Sequence, residues 1–168
     1  DIGSRNFDYA PGLFALLEHR AQSPVQPALT GIEIDAFRVY RSLHSRHDVA
    51  CYYLSLLQGG ERRHRFIAGD LLDHTERYDF ITWFKPFLTP YPILRFGLPG
   101  RLLQPARLLR HMLDRLSPGG VAIIVNQNEY EDAEQRRLLT AAGARGESFA
   151  IADPARSADH PAFAHVLR

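Results

Sequence analysis

Four short apolar runs in this chain end in residues that can do chemistry. ALTGIEI (28–34) carries Glu33 and is followed by Asp35; HRFIA (64–68) leads into Gly69 and Asp70; YDFITWF (78–84) leads into Lys85, Pro86 and Phe87; and VAIIV (121–125) leads into Asn126, Gln127 and Asn128. A fifth group, Asp1-Ile2-Gly3-Ser4-Arg5, opens the chain. Ionised carboxylates are the strong hydrogen-bond acceptors, and an acidic side chain beside a buried strand end needs a partner. Glu33 therefore demands a ligand or a protein donor. Gly3 allows a close backbone approach or a positive φ. Asn126 and Gln127 offer neutral donors and acceptors to a substrate, or equally a polar loop entering a helix. Trp83, Phe84 and Phe87 can flank a cation or stack on a flat acceptor, with core packing the competing use, above all for Phe84. No residue stands out as a general base, so the catalytic residues are left open.

These groups need elements to position them. Pro11 to Arg20 has helical spacing, with Leu13, Leu16 and Leu17 on one side and Pro11 suited to a first turn. A break at Ser23 to Pro27 precedes the first short apolar run, read as a buried strand. Asp35 is placed to cap a helix from Ala36 to about Leu43, and Asp48 to cap another over Val49 to Leu57, stopped at Gly59 and Gly60. His64 to Ala68 and Tyr78 to Phe84 read as strands. Lys85 to Pro105, with five prolines and two glycines, reads as a long loop of the kind that often carries function. A helix over Ala106 to Leu116, a stop at Ser117-Pro118-Gly119-Gly120, a strand over Val121 to Val125 and a helix over Tyr130 to Ala142 follow. Two closing strands, Glu147 to Ala152 and Ala162 to Leu167, are joined by a polar turn around Asp153 to Pro161. Alternating strands and helices imply a mainly parallel sheet. The last two strands, joined without a helix, must be antiparallel neighbours.

Composition narrows the field. The chain has 168 residues, which suits one domain, with 45% hydrophobic and 23% charged residues. A formal net charge of +1 gives no indication of nucleic-acid binding. Of the 20 basic residues Lys85 is the one Lys; the scattered arginines fit a codon bias better than phosphate forks. A single cysteine, Cys51, excludes an intrachain disulfide and any zinc site with several Cys ligands, and fits a cytoplasmic protein. His44 and His47 lie three apart without further ligand spacing, so no metal is expected. Nothing approaches the run of about 18 apolar residues that spans a membrane, and Gly-x-Ser-x-Gly and Walker patterns are absent.

The order of elements and the residues at the strand ends resemble the class I S-adenosylmethionine-dependent methyltransferases over essentially the whole chain. Asp1-Ile2-Gly3-Ser4 is similar to the acidic-x-Gly motif closing a first strand, which would lie largely upstream of Asp1. Gly31-Ile32-Glu33-Ile34-Asp35 resembles the end of the second strand, where an acidic residue holds the ribose hydroxyls. Gly69-Asp70-Leu71-Leu72 resembles the turn after the third, where an Asp reaches the adenine amine. Tyr78 to Pro86 occupies the place of the fourth strand and its active-site turn, and Leu116-Ser117-Pro118-Gly119-Gly120 with VAIIV resembles the approach to the fifth. The resemblance implies a Rossmann-like α/β domain over 1–168, with helices on both faces, a C-terminal antiparallel hairpin and an insertion at 85–105. It implies S-adenosyl-L-methionine held by Asp1, Gly3, Ser4, Arg5, Glu33, Ile34, Asp70, Leu71 and Trp83. A small-molecule acceptor would meet Lys85, Pro86, Phe87, Asn126 and Gln127.

The chain departs from the family in two places. Of the glycine series x-G-x-G-x-G only Gly3 is kept; Arg5 and Phe7 stand at the later positions. A dinucleotide needs such a turn to wrap its pyrophosphate, whereas S-adenosylmethionine has no phosphate and Arg5 can pair with its carboxylate. The active-site turn reads Trp83-Phe84-Lys85-Pro86-Phe87, without the Asn or Asp of amine-methylating relatives. Three readings follow: a methyltransferase, a non-catalytic scaffold of the same fold, and a nicotinamide-dependent oxidoreductase.

Overall fold

A computed structural model describes residues 1–20, 26–151 and 161–168. The break expected around Ser23 and most of the turn expected from Asp153 lie outside the described residues. The chain falls into two compact units, Asp1–Asp73 and His74–Arg168.

In the first unit the helix α1 (Ala10–Arg20) is followed by β1 (Thr30–Glu33), α2 (Arg46–Ser55), a single turn α3 (Gly60–Arg63), β2 (Arg65–Ala68) and a 3-10 turn at Leu71–Asp73. β1 and β2 are parallel, in register from Thr30 with Arg65 to Glu33 with Ala68. On the other side of β1, Ile2 makes a parallel bridge to Ile32. Flanked on both edges, all four β1 residues are buried, as expected of a central parallel strand. Beneath it Phe7, Ala10, Phe14, Leu29, Ala50, Leu54 and Leu57 form the core. His64 ties the strand starts together: its Nδ1 accepts the Leu29 N–H at 3.1 Å and its Nε2 donates to the Gln58 carbonyl at 3.0 Å.

Two helix assignments are corrected here. Ala36 to Leu43 is not helical but a turn closed by a bridge between Val39 and Ser45. The carbonyls of Ala36 and Arg38 accept from the His47 and Arg46 N–H groups, so they cannot serve an i→i+4 ladder. Phe37, Val39 and Leu43 stay exposed, leaving the segment no buried face to drive helix formation. The next helix is capped by Ser45 rather than Asp48: Ser45 accepts the Asp48 N–H, and the Asp48 carboxylate accepts the Ser45 N–H at 2.8 Å. That reciprocal capping box starts α2 at Arg46. Its backbone bonds to Ser45 hold the Asp48 carboxyl below the usual range.

The second unit holds β3 (Tyr78–Phe84), α4 (Pro90–Arg95), a 3-10 turn (Gly100–Leu102), α5 (Pro105–Arg115), β4 (Leu116–Asn126), α6 (Glu129–Ala141), β5 (Gly146–Ile151) and β6 (Ala162–Leu167). The strand order is β3-β4-β6-β5; β3 and β4 are parallel, and β6 is antiparallel to both neighbours. The stretch 85–105, expected as a loop, carries α4 instead, with Pro90 at a helix start where its missing N–H costs nothing. α5 ends at Arg115 and β4 begins at Leu116, so Ser117-Pro118-Gly119-Gly120, expected as a stop before the strand, lies instead within it, with Gly119 at φ +77°. Parallel strand pairs linked through helices and closed by an antiparallel hairpin make this a Rossmann-like α/β fold. Among the described residues no helix is long and apolar enough to cross a membrane.

Under α6 lies a buried polar layer of Asp132, Gln135, His165 and Asn126. His165 Nε2 is 2.9 Å from Asp132, whose other oxygen takes the Arg136 Nε–H at 2.9 Å. Burial depresses the His165 pKa, against the opposing pull of Asp132. The unfolded chain therefore takes up this proton more readily than the folded one. Stability should be full above the ordinary histidine value of about 6.5 and fall as pH drops below it, by up to about 1.4 kcal/mol per pH unit. Urea unfolding between pH 7 and 5 should show this slope, and His165→Leu should remove it; an unchanged slope in the variant would refute the assignment.

Candidate functional site

The first unit gathers its predicted residues on one edge. The parallel strands place Glu33 at the end of β1 and Gly69-Asp70 just past the end of β2, and the Gly69 N–H donates to the Glu33 carbonyl at 3.1 Å. On the other flank the Gly3 N–H donates to the Ile32 carbonyl at 2.8 Å. Gly3, Glu33 and Asp70 thus share the carboxyl-terminal rim, where ligands of open α/β sheets bind. Ile34 is exposed on this rim, while Leu71 is buried in the 3-10 turn. Asp1 accepts from the Tyr9 hydroxyl at 2.6 Å; burial pushes that phenol well above the usual tyrosine range.

Glu33 is only 5% exposed and closely held. Its Oε2 accepts the Arg5 N–H at 2.8 Å, and its Oε1 accepts the Asp35 N–H at 2.8 Å and Arg46 Nη1 at 3.3 Å. Arg46, also buried, reaches Asp35 at 3.4 Å, and Asp35 pairs with Arg38 at 2.5 Å. Asp35, read from the sequence as a helix cap, is instead part of this network. Asp70 caps the turn after its strand, its Oδ1 accepting the Leu72 N–H at 3.0 Å. Its Oδ2 has no partner among the described residues.

The degenerate glycine turn keeps a glycine-type backbone. Gly3, Arg5 and Phe7 have φ of +66°, +52° and +49°. Three alternate positions therefore adopt the left-handed conformation, although two carry side chains. Gly3 is exposed, with no atom within 4 Å of where a Cβ would lie. Arg5 is exposed too. Phe7 is wholly buried, its ring in the core and edge-on to Tyr9 at 5.4 Å. Its Cδ1 lies 2.8 Å from where a Gly31 Cβ would be, as does the Oγ of buried Ser4. Gly31 is thus required for the close approach of this turn to β1. The left-handed conformation costs an L-residue roughly 1–2 kcal/mol, so Arg5→Gly, which removes no buried contact, should raise stability by about 1 kcal/mol. A lower denaturant midpoint in that variant would contradict the geometry.

The other predicted residues belong to the second unit. Lys85, Pro86 and Phe87 follow β3, and Asn126 and Gln127 close its parallel neighbour β4; the Lys85 N–H donates to the Val125 carbonyl at 2.7 Å. Lys85 is exposed at φ +57°, and Phe87 stacks on Phe96 at 5.6 Å. Trp83 is buried. Asn126 is fully buried, and neither of its amide atoms has a partner among the described residues. Gln127 donates its N–H to Glu131 at 2.9 Å, helping to start α6. Among the described residues no three His, Cys, Asp or Glu side chains converge as metal ligands. His47 instead stacks on Phe37 at 5.5 Å and lies 3.7 Å from the Cys51 sulfur.

Sequence reasoning missed Arg46. The one available signal was a cation in the first turn of a helix, where the macrodipole disfavours it; such a residue is held there by something stronger.

This fold is that of the class I S-adenosylmethionine-dependent methyltransferases. An S-adenosylmethionine-dependent methyltransferase from Aquifex aeolicus superposes over 99% of this chain and 79% of its own, with a TM-score of 0.65 and 14% identity. Magnesium protoporphyrin IX methyltransferase from Synechocystis, solved with S-adenosylmethionine bound, matches 100% of this chain and 68% of its own, with a TM-score of 0.61 and 12% identity. The [4+2]-cyclase SpnF matches 100% and 72%, with a TM-score of 0.67 and 13% identity. The chain matches no protein-family model and no curated protein.

Proposed function

We propose that the rim of the first unit binds the adenosyl group of S-adenosyl-L-methionine and that the protein is a methyltransferase acting on a small acceptor. The observation that carries this reading is the convergence of Gly3, Glu33 and Asp70 on one strand edge, with space at Gly3 and an unengaged Asp70 oxygen. Those donors and acceptors suit an adenosyl group: Glu33 a ribose hydroxyl, Asp70 the adenine amine, Gly3 a close backbone approach and Arg5 the amino-acid carboxylate. The bound group supplies an activated methyl and a neutral leaving group. The chain's own task is then to orient and desolvate the reactants. Lys85, Pro86, Phe87, Asn126 and Gln127 are proposed to meet the acceptor. The glycine-poor turn argues against a dinucleotide, which needs several backbone donors around its pyrophosphate.

Calorimetric titration tests this. Micromolar binding of S-adenosylmethionine and S-adenosylhomocysteine is expected. Asp70→Ala should weaken both by about tenfold, the value of one hydrogen bond to a charged group. Binding of NAD(H) alone would favour an oxidoreductase. Binding of none of these ligands would favour the scaffold, a reading that the engagement of Glu33 by Arg46 also supports.

A further inference from the structure

Arg46 determines how much of Glu33 is left for a ligand. A carboxylate has roughly four acceptor positions, two on each oxygen. Both positions of Oε1 are filled, by the Asp35 N–H at 2.8 Å and by Arg46 at 3.3 Å. One position of Oε2 is filled by the Arg5 N–H at 2.8 Å. A vicinal diol that chelates a carboxylate sets one hydroxyl on each oxygen, and here only Oε2 can receive one. Rearrangement is opposed from several sides. Arg46 is buried and bridges two carboxylates, at 3.3 and 3.4 Å. The two backbone donors belong to the glycine-type turn and to the residue after β1's rim.

We propose that Arg46 is a specificity-determining residue that restricts Glu33 to a single ribose hydroxyl, leaving the second hydroxyl of the nucleoside to other partners. The inference rests on the adenosyl-binding reading above and sharpens it. S-adenosylhomocysteine and its 2′-deoxy and 3′-deoxy analogues test it by titration against the intact chain. One deoxy analogue should bind about tenfold or more weakly, and the other within twofold of the parent. In Arg46→Met, which opens Oε1, the tolerated analogue should become discriminated as well. Arg46→Lys, which keeps a cation there, should retain the one-sided pattern. Equal losses with both analogues in the wild type, or no loss with either, would overturn the proposal.

A second measurement reads the grip without ligand. Arg46→Met strands a buried carboxylate, so it should melt below both the wild type and the Glu33→Gln/Arg46→Met double variant. Melting at the wild-type temperature would refute the capture. Failure of S-adenosylhomocysteine to bind would defeat the proposed function and the single-hydroxyl grip together, while the melting comparison would still decide whether Arg46 holds Glu33.

Discussion

Glu33→Ala is expected to destabilise the protein by about 3–5 kcal/mol before any ligand is added. The carboxylate sits 5% exposed among three donors of the chain itself. Its removal takes from the buried Arg46 guanidinium the more deeply buried of the two carboxylates it bridges, the other being Asp35 at 3.4 Å. It also strips the part-buried Arg5 and Asp35 N–H groups of their acceptor, a further cost that water partly offsets. Glu33→Gln keeps the shape and one carbonyl acceptor, so its loss should be markedly smaller. Urea denaturation of the two variants beside the wild type checks this. A Glu33→Ala protein within 1 kcal/mol of wild type would mean that the network contributes little. Binding assays on this variant need the folded fraction measured alongside, because lost affinity and lost fold otherwise look the same.

The second large effect belongs to Phe7. Its ring fills the centre of the first unit's core, so Phe7→Ala should cost about 3–5 kcal/mol, the usual result of deleting a buried aromatic side chain. Phe7→Gly offers an internal control. It creates the same cavity plus one methyl but relieves a φ of +49°, worth roughly 1–2 kcal/mol to an L-residue. At this position, unlike an ordinary core site, glycine should therefore be no worse than alanine, and slightly better. Chemical denaturation of both variants reads the order directly. Should alanine prove clearly the more stable, the backbone here is not left-handed.

Much of the fold was legible because periodicity is a local signal: β1 to β4 and α1, α5 and α6 lie within a few residues of where apolar spacing puts them. Ala36–Leu43 was misread because its fate is decided elsewhere, by Arg46 and His47 donating to its carbonyls from the next helix. α4 was hidden because prolines 90 and 92 suggest a loop, although both fit the first turns of a helix. The rim of the first unit was legible in its carboxylates and Gly3. Their saturation was not, because it depends on an arginine 13 residues from Glu33 whose direction no spacing rule gives. At the glycine turn the sequence shows side chains at positions 5 and 7 but not where they go: the backbone holds the left-handed shape while Phe7 enters the core and Arg5 faces solvent.

Lys85 has a practical consequence. It is the one lysine of the chain, it is exposed, and it stands at the end of β3 beside the residues proposed to meet the acceptor. Reagents aimed at side-chain amines therefore have a single address within these 168 residues. A fluorophore or crosslinker attached there reports from that strand end without any engineered cysteine, and its quenching or protection by a candidate compound offers a direct screen for the molecule that docks nearby.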